Sequence, residues 1–192
     1  MSDPVSALGA ASFDGFAAVR EIGPLGMISL RARPDVPGLA GAILAVTGTA
    51  VPGQRRIEVA GDCAAGWMSP DEYLLILPYG DIGSAMAALA AALQGQHHLA
   101  AVVSDARAVF RIEGAKADQV IRKLSPVDLD TLAEAELRRT RAAQVAVAFW
   151  RQGNGFTLVC FRSVAVYVMG LLSHSAMTGS ELFQDDQAAD LG

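Results

Sequence analysis

The side chains in this chain that most readily do chemistry are three histidines, two cysteines, a pair of adjacent carboxylates and an arginine at a strand-to-helix junction. His97 and His98 are neighbours, so in an extended segment their rings point to opposite faces, and no cysteine or carboxylate stands close enough in sequence to complete a metal site. Their expected setting is a solvated turn. His174 falls near the C-terminal end of a helix pattern, where an imidazolium meets the favourable end of the dipole. Asp71 and Glu72 sit where a turn enters a strand, and Asp in such a turn commonly bonds backbone amides rather than moving protons. Arg162-Ser163 has the residue types for anion capture at a helix start and equally those for a cap. Cys63 and Cys160 lie far apart and form no CxxC, which indicates neither a zinc site nor a disulfide framework. Cys160 alternates with Leu158 and Phe156 and reads as a core residue.

The arrangements that common enzymes require are missing from the sequence. Acyl transfer by serine wants a nucleophile elbow such as GxSxG with a supporting histidine, and phosphate cradling wants GxGxxG or a Walker A loop; none of these occurs. The sequence therefore predicts no catalytic, cofactor-binding or metal-ligating residue on this chain. Trp67 and Trp150 flank turns and are the candidates for a partner interface, since tryptophan is enriched in interface hot spots, with anchoring in the core as the equal alternative.

Composition sets the frame for these residues. Of 192 residues, 52% are hydrophobic and 18% charged, and the mean hydropathy is +0.34. That is apolar for a free-standing protein, so either a partner covers part of the surface or alanine carries the excess, because Ala tolerates exposure on helices. A net charge of −5 lacks the basic footprint that a phosphate backbone requires, so nucleic acid is not an expected partner. The densest basic run, Arg138-Arg139-Thr140-Arg141, reads as a solvated turn. The N-terminus lacks the basic and apolar regions of a signal peptide and no apolar run reaches membrane-spanning length, which predicts a cytoplasmic protein away from membranes.

The elements that must position these residues follow from periodicity. Over 25–31, Ile28 and Leu30 alternate with Ser29 and Arg31, as in a strand with one buried face. Val36, Leu39, Ala40, Ile43 and Leu44 then form a helical stripe that ends before Gly48. Strands are predicted over 56–60 and 72–77, a helix through Ile82, Met86, Leu89 and Leu93, and a strand over 99–103, in the β-α-β-β-α-β order of a ferredoxin-like unit. The pattern restarts with a strand over 107–112, a helix through Ala117, Val120, Ile121 and Leu124 ended by Pro126, a hairpin over 144–161 and a helix capped by Ser163 that reaches about Ala176. The fold class is thus α+β: two β-α-β-β-α units, 25–104 and 105–178, packed into one body, the second without a clear last strand. Residues 1–24 are set apart as an N-terminal segment and 179–192 as a mobile acidic tail.

Three stretches, WMSPDEYLLILP (67–78), VVSDARAVFRIEGAKADQVIRKLSPVDLD (102–130) and VCFRSVAVYVMGLL (159–172), in this order and spacing, resemble the gamma subunit family of heterotetrameric sarcosine oxidase. The second stretch also resembles the wider folate-binding aminomethyltransferases. Ser69 and Tyr73 stand where the gamma family often has Gly and Trp, and the KGCY-type signature of the iron–sulfur-assembly relatives is missing around Cys63. The resemblance implies an aminomethyltransferase-like fold and a place in an assembly that demethylates sarcosine oxidatively to glycine. It implies FAD, FMN, NAD and tetrahydrofolate on the larger subunits, direct docking on the alpha subunit, beta and delta subunits in the same complex, and no catalytic group on the gamma chain. Two other readings stay open: a free-standing folate-binding or one-carbon-transfer protein with anion capture near Arg107 or Arg162, and a self-associating module whose apolar excess forms a homodimer interface.

Overall fold

Two strands precede the region where hydrophobic patterning begins: β1 (Ser12–Asp14) and β2 (Ala18–Ile22). After them come β3 (Gly26–Arg31), α1 (Leu39–Thr47), β4 (Ile57–Ala60), β5 (Cys63–Ser69), β6 (Glu72–Leu77), α2 (Ile82–Ala92) and β7 (Leu99–Val102). The second half holds β8 (Arg107–Glu113), α3 (Ala117–Leu124), β9 (Leu137–Ala142), β10 (Val145–Gln152), β11 (Gly155–Phe161) and α4 (Ala165–Ser175). The structure is a computed structural model, and it describes residues 5–183. Residues 184–192, most of the stretch expected as a mobile acidic tail, lie outside the described residues.

The strands form two antiparallel sheets, ordered β4-β5-β6-β3-β7 and β1-β2-β8-β11-β10-β9. Within the first, β5-β6-β3-β7 with α1 and α2 as crossovers is the ferredoxin-like arrangement, and β4 is an added edge. The second sheet repeats it as β10-β11-β8-β2, with β9 as the added edge. Its missing last strand therefore comes from the N-terminus. Within the stretch set apart as 1–24, β2 pairs with β8 from Ala18↔Glu113 to Ile22↔Val109, and Val19 is fully buried under the helices.

Why the sheets stack is visible in the side-chain alternation. Ile28 and Leu30 of β3 pack with Leu75, Leu77, Leu39, Ile43 and Leu89 beneath α1 and α2, while Met27 points the other way. On the second sheet, Phe110, Phe149, Phe156 and Leu158 pack beneath α3 and α4, with the Phe149 and Phe156 rings edge-to-face at 6.0 Å. The two remaining faces meet. Met27, Ile57, Leu74 and Ile76 from one sheet pack with Val109, Leu137, Trp150 and Val159 from the other, giving four layers, helices-sheet-sheet-helices. The sheets also join at an edge, where Ile57 N–H donates to Ala135 O (3.0 Å) and Leu137 N–H to Arg55 O (2.9 Å).

Several expectations are corrected here. Residues 63–69 form β5, and 137–142 form β9, so the basic run Arg138–Arg141 is an edge strand rather than a turn. Charged side chains suit such an edge because they discourage pairing with other chains. The first helix starts at Leu39, after Gly38 at φ 81°, and buries Leu39, Ala42 and Ile43 instead of a stripe beginning at Val36. Ser163 is not an N-cap: residues 162–164 form a 3₁₀ turn and α4 begins at Ala165 without a side-chain cap. Gly155 opens β11 because a side chain there would meet the Ile112 carbonyl oxygen at 1.9 Å, so β11 can close against β8 only without a Cβ.

Candidate functional site

Of the side chains singled out for chemistry, Asp71, Glu72, His98 and Arg162 are held in local structural roles. Asp71 accepts from the Ser69 hydroxyl (3.0 Å) and from Arg31 (3.0 Å), and these partners, Ser69 foremost, hold its carboxyl below the usual range. Glu72 accepts from Ser29 (3.2 Å) and from Arg139 (3.4 Å). His98 bonds through Nδ1 to its neighbour Gln96 O (3.0 Å), and His174 is exposed in the last turn of α4. Arg162 donates to the carbonyls of Val5 (3.0 Å) and Ser6 (3.1 Å), so it fastens the N-terminal stretch rather than holding an anion. Cys160 is buried and its thiol is pushed up to about 12 by that burial. Cys63 is half-buried, and burial, with Asp81 and Asp62, raises its thiol too. A raised thiol is a poor nucleophile at neutral pH. Among the described residues no group of three or more His, Cys, Asp or Glu side chains is placed to hold a metal ion.

Trp150 and Trp67 fall in different places. Trp150 is 3% exposed and lies between the sheets, opposite Leu137 on β9 and Thr157 on β11, so in this chain it is a core residue. Trp67 is half-buried on the helix-facing side of β5, against the cluster that contains Tyr73 and Leu75.

Among the openings that reach the layer between the sheets, two lie at its opposite ends. The larger, a cleft of about 390 Å³, lies where β4, β5 and the end of β6 approach β10 and β11, with Leu25, Val59, Cys63, Tyr79 and Trp150 among its walls. Thr157 and Gln152 form its polar wall, and behind them Arg111, outside the lining, donates to Thr157 Oγ1 (2.9 Å) while Thr157 donates to Gln152 Oε1 (2.7 Å). No arginine or lysine lines this cleft, and Asp62 is its one charged residue. The smaller opening, a slot of about 40 Å³ at the other end, is lined by Met68, Glu72, Arg107, Arg139, Val159 and Phe161. There the Arg107 guanidinium lies 4.2 Å from the centroid of the Phe161 ring, and burial lowers its pKa from the ordinary arginine value.

Sequence reading missed two buried acids that tie the fold together. Glu136 accepts from Arg55 (Nε, 2.9 Å), Arg138 (2.7 Å) and Ala133 N–H (3.1 Å), where the two sheets join. Glu21 accepts from Ser6 Oγ (3.0 Å) and from the N–H groups of Leu8 (2.9 Å) and Ala10 (2.9 Å), which clamps the N-terminal stretch onto β2. A carboxylate inside an otherwise alternating AVREI was the available signal.

Comparison with known proteins places the chain. A model of the "Sarcosine oxidase, gamma subunit family" matches residues 31–176. The sarcosine oxidase subunit gamma of Arthrobacter sp. is 37% identical over 156 residues, covering 77% of this chain and 73% of that protein. Its counterpart in Corynebacterium sp. (strain P-1) is 34% identical over 153 residues with the same coverage. Among solved structures, a chain of the heterotetrameric sarcosine oxidase from Corynebacterium sp. U-96, in complex with pyrrole 2-carboxylate, superposes with a TM-score of 0.75 at 28% identity over 86% of this chain and 87% of that one. The glycine cleavage system aminomethyltransferase T of Bartonella henselae superposes with a TM-score of 0.62 at 15% identity, over 85% of this chain and 47% of that one, a likeness of fold alone. From its motifs, its sheet topology and these relatives, the chain belongs to the sarcosine oxidase gamma subunit family.

Proposed function

We propose that the chain is the structural gamma subunit of a flavin-dependent heterotetrameric sarcosine oxidase, docked on the large alpha subunit and sharing the complex with beta and delta subunits. The observation that carries this reading is the family match over 31–176, with a superposition that spans 87% of a chain from an enzyme solved as a heterotetramer. In that assembly sarcosine is demethylated oxidatively to glycine, tetrahydrofolate takes up the one-carbon unit, and oxygen leaves as peroxide. FAD, FMN, NAD and tetrahydrofolate belong, on this reading, to the larger subunits. The chain's own part is to present a surface: Glu21, Glu136, Asp71 and Arg162 are engaged in structural hydrogen bonds, and α1 and α2 carry no charged side chain.

The test is to tag the chain in its native host, purify it gently, identify what accompanies it by mass spectrometry and record the absorbance of the eluate. Large subunits with a yellow flavin spectrum are the expected result. A chain that elutes alone and colourless would refute the subunit assignment and turn attention to folate binding by the isolated protein.

A further inference from the structure

Among the described residues, one buried side-chain nitrogen or oxygen has no hydrogen-bond partner: Nε of Arg107. Arg107 opens β8 at the small slot between the sheets, and every other polar group there is already engaged. Glu72 hydrogen-bonds Ser29 and Arg139, so it offers the Arg107 guanidinium a nearby charge without a hydrogen bond to Nε, and the guanidinium lies over the face of Phe161. Drawing a guanidinium out of water without an acceptor is unfavourable, and the geometry that satisfies its planar fork best is a carboxylate bound side-on. Two arginines against one glutamate also make the slot locally positive in a chain whose net charge is −5.

Size decides what kind of carboxylate. A slot of about 40 Å³ with Met68, Leu74, Ala148 and Val159 as apolar walls admits the head of an acidic side chain and nothing as large as a metabolite. Phe161 is 48% exposed beside it, a large ring left facing solvent at the mouth. An arginine stacked on an exposed aromatic ring is the pairing that dominates interface energetics when a partner covers it. We propose that the Arg107–Phe161 slot receives an Asp or Glu side chain of a partner polypeptide, with Phe161 packing against the acidic residue's apolar surroundings. The proposal rests on the heterotetramer reading and identifies the partner as the larger subunit on which this chain docks.

The experiment repeats the native-host purification with Arg107→Met, which keeps the stem over Phe161, with Phe161→Leu, with Arg107→Lys, and with Arg33→Gln as an equal charge change at an exposed position away from the slot. Wild type and Arg33→Gln should retain the larger subunits through a moderate salt wash. Arg107→Met and Phe161→Leu should retain them about tenfold less, and Arg107→Lys should fall between, since it restores charge without the fork. Soluble yield and circular dichroism separate loss of docking from loss of folding; should Arg107→Met fail to fold, Phe161→Leu at its half-exposed ring decides alone. If wild type retains the larger subunits and all the variants do so equally, the slot is not a docking site although the subunit assignment stands. If wild type itself elutes alone, both fall.

Discussion

Replacing Trp150 by alanine tests the four-layer packing directly. β10 carries the indole into the layer between the sheets, 3% exposed, among Met27, Ile57, Ala64, Leu137 and Val159. Truncating a fully enclosed tryptophan to alanine costs about 3–5 kcal/mol, from lost transfer free energy and the cavity left behind. Trp150 also forms part of the wall of the 390 Å³ cleft, so one side of the ring already lacks neighbours and the lower end, about 3 kcal/mol, applies. In a chain of this length each kcal/mol moves the melting midpoint by about 2–4 °C, so the expected shift is about 6–12 °C. Thermal unfolding followed by far-ultraviolet circular dichroism reads it, with Trp150→Phe, which keeps an aromatic ring and removes much less volume, as a companion that should lose only about 1 kcal/mol. A midpoint within 2 °C of wild type for Trp150→Ala, above all with reduced retention of partners, would mean that the indole does not hold the sheets together and that it works at a surface after all.

The edge joint gives a second expectation: Glu136→Ala strips Arg138 and the Ala133 N–H of their acceptor, and because Arg55 is half-exposed and screened the loss should be about 2 kcal/mol in urea unfolding, with Glu136→Gln intermediate. Glu21→Ala should release the N-terminal stretch, so hydrogen exchange at the Leu8 and Ala10 amides quickens while exchange in β10 and β11 stays slow. The Cys160 thiol, about 12 in the folded chain against 9.0 for an unperturbed group, makes stability fall as pH rises from 9 toward 12, because over that window the unfolded chain has lost a proton that the folded chain keeps. Cys160→Ala should therefore flatten the alkaline limb of a stability–pH curve, and a limb unchanged in slope would refute the burial.

How much of the fold the sequence discloses depends on which residues carry the signal. β3, β6, β8, β10 and β11 read as strands because Val, Ile, Leu and Phe alternate or run together in them, and α2 reads as a helix because Leu89 and Leu93 keep one face. β5 is hidden because Ala and Gly fill it, and the reason lies in the other sheet: a side chain at Gly66 would meet Leu137 Cδ1 at 2.6 Å. β9 is hidden because an edge strand can afford arginines, and β2 because a buried glutamate breaks its alternation. The candidate site was less accessible still. Arg107 and Arg162 look alike in sequence as possible anion ligands, but Arg162 is used by carbonyls more than 150 residues away, a partnership no local pattern contains.

The apolar excess of the composition resolves into two parts with different causes. α1 and α2 have no charged residue, yet apart from Leu44 their exposed positions are chiefly Ala, Gly and Ser, side chains that tolerate water at little cost, so this layer raises the hydropathy without needing a cover. The end of β11 and the start of α4 differ. Phe161, facing the layer between the sheets, is 48% exposed, and Val166 and Tyr167 on the outer side of α4 are 75% and 46% exposed. Exposed large apolar side chains of this kind are the ones a partner can cover, and Phe161 lies beside Arg107, whose Nε has no hydrogen-bond partner. The exposed Phe161 ring and the Arg107 Nε without a hydrogen-bond partner, one an apolar and one a polar signal, thus fall at the same slot to which the proposed partner contact is assigned.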